Sequence, residues 1–295
     1  MKALTPELFA GATVERWLIS PDDYQAERDH VRRTHLELLR KSARLYEHRV
    51  VHGNTEPETK ALRIGRALHI AVLQSTEASE LLLCQPKIKS PYSAAGKAEL
   101  RAWRSELPAG VVVLKSADEQ LLIRRMADAL RLDPKAGPLL ERDGENELPL
   151  RWTDPESGLP CKCMLDRYFE TRERDAVRVL DLKSTIDPDP DAFAKSVAKF
   201  GYHRQDAMYR DATRQFAGGR PVSFIFLAVR SAPPFEVAVI DLDDQAVDVG
   251  RRQIRAALRQ LADHTTTGDW RSRWQSADAR PTTISLPAYA LKEAA

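Results

Sequence analysis

Val179-Leu180-Asp181-Leu182-Lys183-Ser184-Thr185 is the stretch on which the reading of this chain turns. Its β-branched and aliphatic residues, bounded downstream by Ile186-Asp-Pro-Asp-Pro190, predict a strand over Val177–Lys183. Alternate side chains of a strand share a face, so Asp181 and Lys183 point one way while Leu180 and Leu182 point the other, into a core. A carboxylate and an ammonium side by side at a strand end suit phosphodiester hydrolysis. The carboxylate binds a metal, and the ammonium positions the attacking hydroxide and offsets the charge that develops on phosphorus. The plain alternative is an ion pair on one strand face.

Upstream, Cys161–Phe169 alternates as a second strand and carries Asp166, with a turn at Arg172–Asp175 between the two. A hairpin of this kind can bring Asp166 near Asp181. Two carboxylates converging on one point repel unless a cation lies between them, and Mg²⁺ prefers oxygen ligands of this type. Taken alone, Asp166 reads as a solvated strand end. Before it come Leu148–Trp152, a third strand, and the turn Asp154-Pro-Glu-Ser-Gly158.

Downstream, Asp191 is placed to cap one long helix reaching Phe216, ended by Gly218-Gly219. Strands at Val222–Arg230 and Phe235–Leu242 and a last helix over Asp244–His264 follow. In the first half, Leu62, Ile64, Leu68, Val72 and Leu73 recur at helical spacing within Glu58–Gln74, with Gly65 and His69 one turn apart. Arg32–Arg49 carries six Lys/Arg against two Glu and reads as a basic helix. Residues 84–110, with three prolines, read as an irregular excursion, and Ser116-Ala-Asp-Glu119 as a capping box before a helix to Leu130. The expectation is an α/β fold in one domain over 1–295: a mainly helical part at 1–145, a mixed central sheet flanked by helices at 146–270, and a tail at 271–295.

The 295 residues, 43% hydrophobic and 30% charged, can bury a sizeable core, and the net charge of +2 neither demands nor forbids a nucleic-acid partner. Three cysteines make neither a disulfide framework nor a four-thiolate metal site, and Cys161 and Cys163 read as same-face residues of one strand. There is no membrane-length apolar run, no signal-like h-region, no Walker A motif, no G-x-G-x-x-G and no nucleophile elbow. A reducing cytoplasm is the expected compartment.

Beyond the two aspartates, His69 lies on the apolar face of its helix. It is a core histidine on its own, but can complete a metal shell beside two carboxylates, with a leaning to Mn²⁺. Tyr202, Gln205 and Tyr209 form one helical stripe, either core or a support for the site. Lys195, Lys199, Arg204, Arg210, Arg214 and Arg220 outnumber nearby acids and can follow a DNA backbone, the first four being the candidates. Arg251, Arg252, Arg255 and Arg259 make a second basic face, which solvation also explains.

Together these pieces resemble the PD-(D/E)XK nuclease superfamily, and within it the exonuclease VIII (RecE-type) branch of phages and prophages. The motifs are Gly65-Arg-Ala-Leu-His69; Pro160-Cys-Lys-Cys-Met-Leu-Asp166, without the family's usual glycine; Asp181-Leu-Lys-Ser-Thr185; and Gly201-Tyr-His-Arg-Gln205-Asp-Ala-Met-Tyr209. The resemblance runs from 65 to 209, extends toward Gly268-Asp-Trp270, and implies a restriction-endonuclease-like fold. It implies metal ligation by His69, Asp166, Asp181 and the Leu182 carbonyl, Lys183 as catalytic lysine, Gln205 and Tyr209 as supports, and Glu147 at the site rim. It further implies Mg²⁺, with Mn²⁺ substituting, and 5′-to-3′ digestion of linear duplex DNA for a single-strand annealing partner, in some relatives by a homo-oligomeric ring. The rival expectations are a single-strand or structure-specific nuclease in repair, and a DNA-binding relative without catalysis.

Overall fold

The protein is described by a computed structural model at residues 5–108, 110–171, 175–272, 274, 281 and 283–286. Most of the turn expected at 172–175 and of the 271–295 tail therefore lie outside the described residues. The N-terminal half runs β1 (Glu15–Arg16), α1 (Pro21–Ala26), α2 (Arg33–Lys41), α3 (Ala43–Tyr46) with a π-helical turn at Glu47–Val51, and α4 (Lys60–Leu73). Then come α5 (Ala78–Leu81), β2 (Leu82–Cys84), α6 (Ala94–Ser105), β3 (Val112–Leu114), α7 (Ala117–Leu132) and α8 (Ala136–Leu140). The second half runs β4 (Glu145–Thr153), β5 (Pro160–Thr171), β6 (Ala176–Thr185), α9 (Pro190–Phe200), α10 (Tyr202–Phe216), β7 (Val222–Arg230), β8 (Val237–Asp241) and α11 (Asp244–Thr267).

Six strands form one mixed sheet in the order β1-β4-β5-β6-β7-β8, antiparallel throughout except for the parallel β6–β7 pair. This is the expected mixed sheet flanked by helices. The first half is less purely helical than its sequence suggests. It supplies the edge strand β1 and a small parallel β2–β3 sheet, both too short for a period-2 signal to stand out.

The sheet separates two cores. Leu180 and Leu182 of β6, with Leu227 and Val229 of β7, pack against Ile64, Leu68 and Met126 of α4 and α7. On the opposite face Val177, Val179, Phe224 and Phe226 meet Leu36, Met208 and Ile254 of α2, α10 and α11. Cys161 and Cys163 lie together in this second core, fully buried, as the same-face reading expects. Along β6, then, one face is apolar at Val177 and Val179 and then carries Asp181 and Lys183.

Three helical expectations are corrected. The helix expected over 191–216 is two helices, because Gly201 at φ 72° adopts the left-handed conformation that ends α9. Its N-cap is Asp189, whose Oδ1 accepts from Asp191 N and Ala192 N at 3.0 and 3.3 Å, with Pro190 at the first helical position. The basic segment Arg32–Arg49 divides at Ser42, which is extended (φ −168°) and caps the next turn by accepting from Leu45 N at 3.3 Å. Within 84–110, Ser93 caps α6 by accepting from Gly96 N at 3.0 Å, so this excursion contains a helix of 12 residues. The Ser116 cap stands as expected, with Glu119 N donating to Ser116 Oγ at 3.3 Å, and Gly218 and Gly219 (φ 67° and 86°) follow the end of α10.

Candidate metal centre

The site forms where the regular ladder of β4, β5 and β6 gives way. In the β4–β5 register, Asn146 pairs with Arg167 and Leu148 with Leu165, so Glu147 and Asp166 face each other without joining the ladder. Glu147 has φ 52°, which a glutamate rarely adopts and which costs on the order of 1–3 kcal/mol. Alternation resumes beyond the break with opposite parity: Leu165 and Tyr168, three apart, enter the same core. On the other side, the β5–β6 ladder stops at Arg167–Leu180, and the Asp166 carboxylate takes over the freed backbone donor, accepting from Leu182 N at 2.8 Å. Asp166 is thereby brought between Glu147 and the D-x-K strand.

His69 reaches this point from α4. Its Nε2 lies 3.2 Å from the Leu182 carbonyl, and a carbonyl only accepts, so Nε2 is the donor. The other ring nitrogen, Nδ1, lies 3.6 Å from Asp166 Oδ2 and 4.0 Å from Glu147 Oε1. That nitrogen faces two carboxylates, an arrangement that accommodates a positive charge between them, whether a ring proton or a metal ion. One ligand atom from each of His69, Glu147 and Asp166 falls within 4.8 Å of the others. Burial, then Asp166 and Asp181, push the Glu147 carboxyl up to about 7, and burial together with Asp181 raises Asp166. The donor set of one imidazole and two oxygen anions, each destabilised without a cation, fits a hard divalent metal.

Asp181 and Lys183 complete the site on the neighbouring strand. Lys183 Nζ is ion-paired with Asp181 Oδ2 and lies 4.9 Å over the Tyr202 ring. Gln205 Nε2 donates to Asp181 Oδ1 at 2.5 Å, while its amide oxygen is buried without a partner. The glutamine in the expected support position thus holds the carboxylate in place. Asp181 turns both oxygens toward Lys183 and Gln205 and is not in the compact three-residue donor group. The structure brings His69 and Asp166 together with the Leu182 carbonyl, sets Asp181 beside them, and places Glu147, expected at the rim, within the same group.

Tyr209 is half-buried against the core, its ring 6.2 Å from that of Phe224, and among the described residues it makes no hydrogen bond to the site carboxylates. Of the expected DNA contacts, Lys195 and Lys199 are exposed. Arg204 and Arg210 are not available to a backbone. Arg204 is buried against Glu37, donating to its carboxylate at 2.5 and 2.8 Å, and Arg210 donates to Asp206 at 2.6 and 2.9 Å. Arg251 and Arg255 likewise hold the fully buried Asp211 and Asp154, so the basic face of α11 is partly internal.

A cavity of about 410 Å³ opens beside the centre, lined by His69, Glu147, Met164 and Arg66 among others. Among the described residues no helix is long and apolar enough to cross a membrane.

Residues 34–279 match a family described as a PDDEXK-like domain of unknown function (DUF3799). No curated protein matches the sequence. Among solved structures, a proposed exonuclease from Eubacterium rectale is similar at TM-score 0.60 and 11% identity, over 93% of this chain and 98% of that one. At that identity the likeness speaks for the fold. With a family match spanning most of its length, and a D-x-K strand set beside an aspartate and a histidine, the chain belongs to the PDDEXK-like domain family.

Proposed function

We propose that the protein is a divalent-metal-dependent DNA exonuclease that hydrolyses linear duplex DNA. The observation that carries this reading is the meeting of His69, Glu147 and Asp166 in one donor group beside the Asp181–Lys183 pair. His69, Glu147, Asp166 and the Leu182 carbonyl would hold the metal, with Asp181 at its flank. A cation held there would supply Lewis-acid activation of water and charge neutralisation at the scissile phosphate. Lys183 Nζ, held by Asp181 and the face of Tyr202, positions the attacking hydroxide and offsets the charge gathering on phosphorus. The water oxygen forms the new P–O bond as the P–O3′ bond breaks, and the proton that the water gives up ends, through solvent, on the leaving 3′-oxygen. Gln205 keeps the Asp181 carboxylate from turning away.

Mg²⁺ is the proposed ion, with Mn²⁺ substituting, since an imidazole in an otherwise oxygen shell suits both. Polarity from 5′ to 3′, a single-strand annealing partner, a ring-shaped oligomer and a cytoplasmic role in recombination come with the RecE-type resemblance. Lys195 and Lys199 support a backbone contact by their exposure. The test is end-labelled linear duplex incubated with Mg²⁺, with Mn²⁺ and with EDTA, beside Lys183→Ala and circular and single-stranded controls. Progressive, metal-dependent loss of nucleotides from an end, reduced about 10²–10³-fold by Lys183→Ala, is expected. Intact DNA in every case, or full activity without Lys183, refutes it.

A further inference from the structure

On the far side of α4 from the 410 Å³ cavity lies a second one of about 590 Å³, at the C-terminal end of β6. Ser184 and Thr185, next to the catalytic lysine, form part of its wall, with Lys60, Ile64, Ile186, Lys199, Phe200 and Tyr202 around them. Two of its apolar members are unusually open, while Ile64 is buried. Ile186 is 87% exposed and Phe200 49% exposed, although α9 has a fully buried face a few residues earlier at Phe193. Phe200 stands at the end of α9 because Gly201 stops the helix there, and its ring stacks on Tyr202 with centroids 5.7 Å apart. Tyr202 in turn touches Lys183, so an aromatic pair runs directly from the reacting centre into the groove.

The charges outside ion pairs are of one sign, and Lys199 Nζ lies 5.3 Å over the Phe200 ring. Asp187 is taken up by Arg230 at 2.8 Å, while Lys60 and Lys199 form no ion pair among the described residues. Gly65 lies in the interior of α4 between His69 and the groove-lining Ile64. A Cβ there would meet nothing nearer than Ser184 Oγ at 4.0 Å, so packing within the protein does not require the glycine. Glycine in a helix interior costs about 1 kcal/mol relative to alanine, and open space at such a position leaves room for a ligand backbone to pass.

We propose that this groove seats unpaired bases of the DNA strand being cut, with Phe200 as their stacking platform and Lys60 and Lys199 on the flanking phosphates. The proposal rests on the nuclease reading and adds a substrate class to it: a strand with unstacked bases beside the scissile phosphate. Stacking on an aromatic ring is tolerant of sequence and pairs naturally with lysines that follow the backbone. An aliphatic side chain as exposed as Ile186, in the same groove as that ring, fits between the last base pair and the first separated base.

The experiment compares two fluorescein-labelled oligonucleotides by anisotropy in EDTA, each a duplex with a short single-stranded end. One carries normal bases in that end and the other carries abasic sites. The full chain is expected to bind the base-containing DNA about tenfold more tightly. Phe200→Ala removes the difference, and Phe200→Trp keeps it while reporting that the helix end remains folded. Equal binding of the two DNAs by the unaltered protein, or a difference that survives Phe200→Ala, overturns the proposal. So does a change in sedimentation of Phe200→Ala without DNA, which would make a second copy the occupant. Failure of all DNA cleavage in Mg²⁺ and Mn²⁺ counts against the nuclease reading, and the binding comparison stands apart from it.

Discussion

Glu147→Gln separates the electrostatics of the centre from its chemistry. In the metal-free protein the Glu147 carboxyl is held up to about 7 by burial and by Asp166 and Asp181, against an ordinary 4.5. A carboxyl with a raised folded-state pKa leaves stability at its fullest below about 4.5. Stability then falls as pH climbs, and the loss is complete above about 7. At about 1.4 kcal/mol per pH unit, that loss is about 3 kcal/mol at pH 8. Glutamine keeps the shape and cannot ionise, so the metal-free variant should be about 3 kcal/mol more stable at pH 8 and equal to the native protein near pH 4. For a chain of this size the gain is a Tm higher by about 5 °C. Relief of the neighbouring Asp166, also raised, acts in the same direction.

Divalent metal should reverse the order. An ion at a thousand times its Kd adds about 4.1 kcal/mol to the native protein, more than the variant's advantage of about 3 kcal/mol, and much less to a variant lacking one anionic ligand. The assay is thermal or urea unfolding at pH 4, 6 and 8, with EDTA and with Mn²⁺. A variant no more stable than the native protein at pH 8 in EDTA would show that Glu147 is not crowded by Asp166. Equal stabilisation of both proteins by Mn²⁺ would remove Glu147 from the ligand set.

Further outcomes follow from the same geometry. Arg204→Ala should lower stability by about 3–5 kcal/mol in urea unfolding, because it leaves Glu37 without its buried partner. Lys195→Ala should change unfolding by less than about 0.5 kcal/mol and weaken DNA binding alone; an unaltered urea midpoint for Arg204→Ala would return Arg204 to the surface. Gly65→Ala should hold or raise stability by up to about 1 kcal/mol and yet slow cleavage, if substrate passes where the Cβ would project. Full activity in that variant would mean the space beside Gly65 serves no ligand.

Much of the site can be read in the one-dimensional pattern, since strand periodicity alone puts Asp181 and Lys183 on one face and Leu180 and Leu182 on the other. Helical spacing does the same for Gly65 and His69, and the turn residues between 154 and 222 mark out the strands of the core. The partition of the arginines is not local. Arg204 and Arg210 look like surface cations until α2 brings Glu37 beside the first, and Asp206, one turn earlier, is buried beneath the second. The break of the long helix at Gly201 depends on whether a glycine takes positive φ, which the residue permits and the packing decides.

The placement of Glu147 is the clearest case of what only the tertiary structure decides. In the sequence it is one acid among several near the start of a strand. In the fold it faces Asp166 across a ladder that both residues leave, with a backbone conformation that reverses the alternation on either side. Local preference opposes that arrangement, because it costs backbone strain and places two anions together. It persists because the sheet around it is paired and packed on both sides. Local sequence therefore determines which residues can do the chemistry, and long-range pairing determines which carboxylates are forced to share one point.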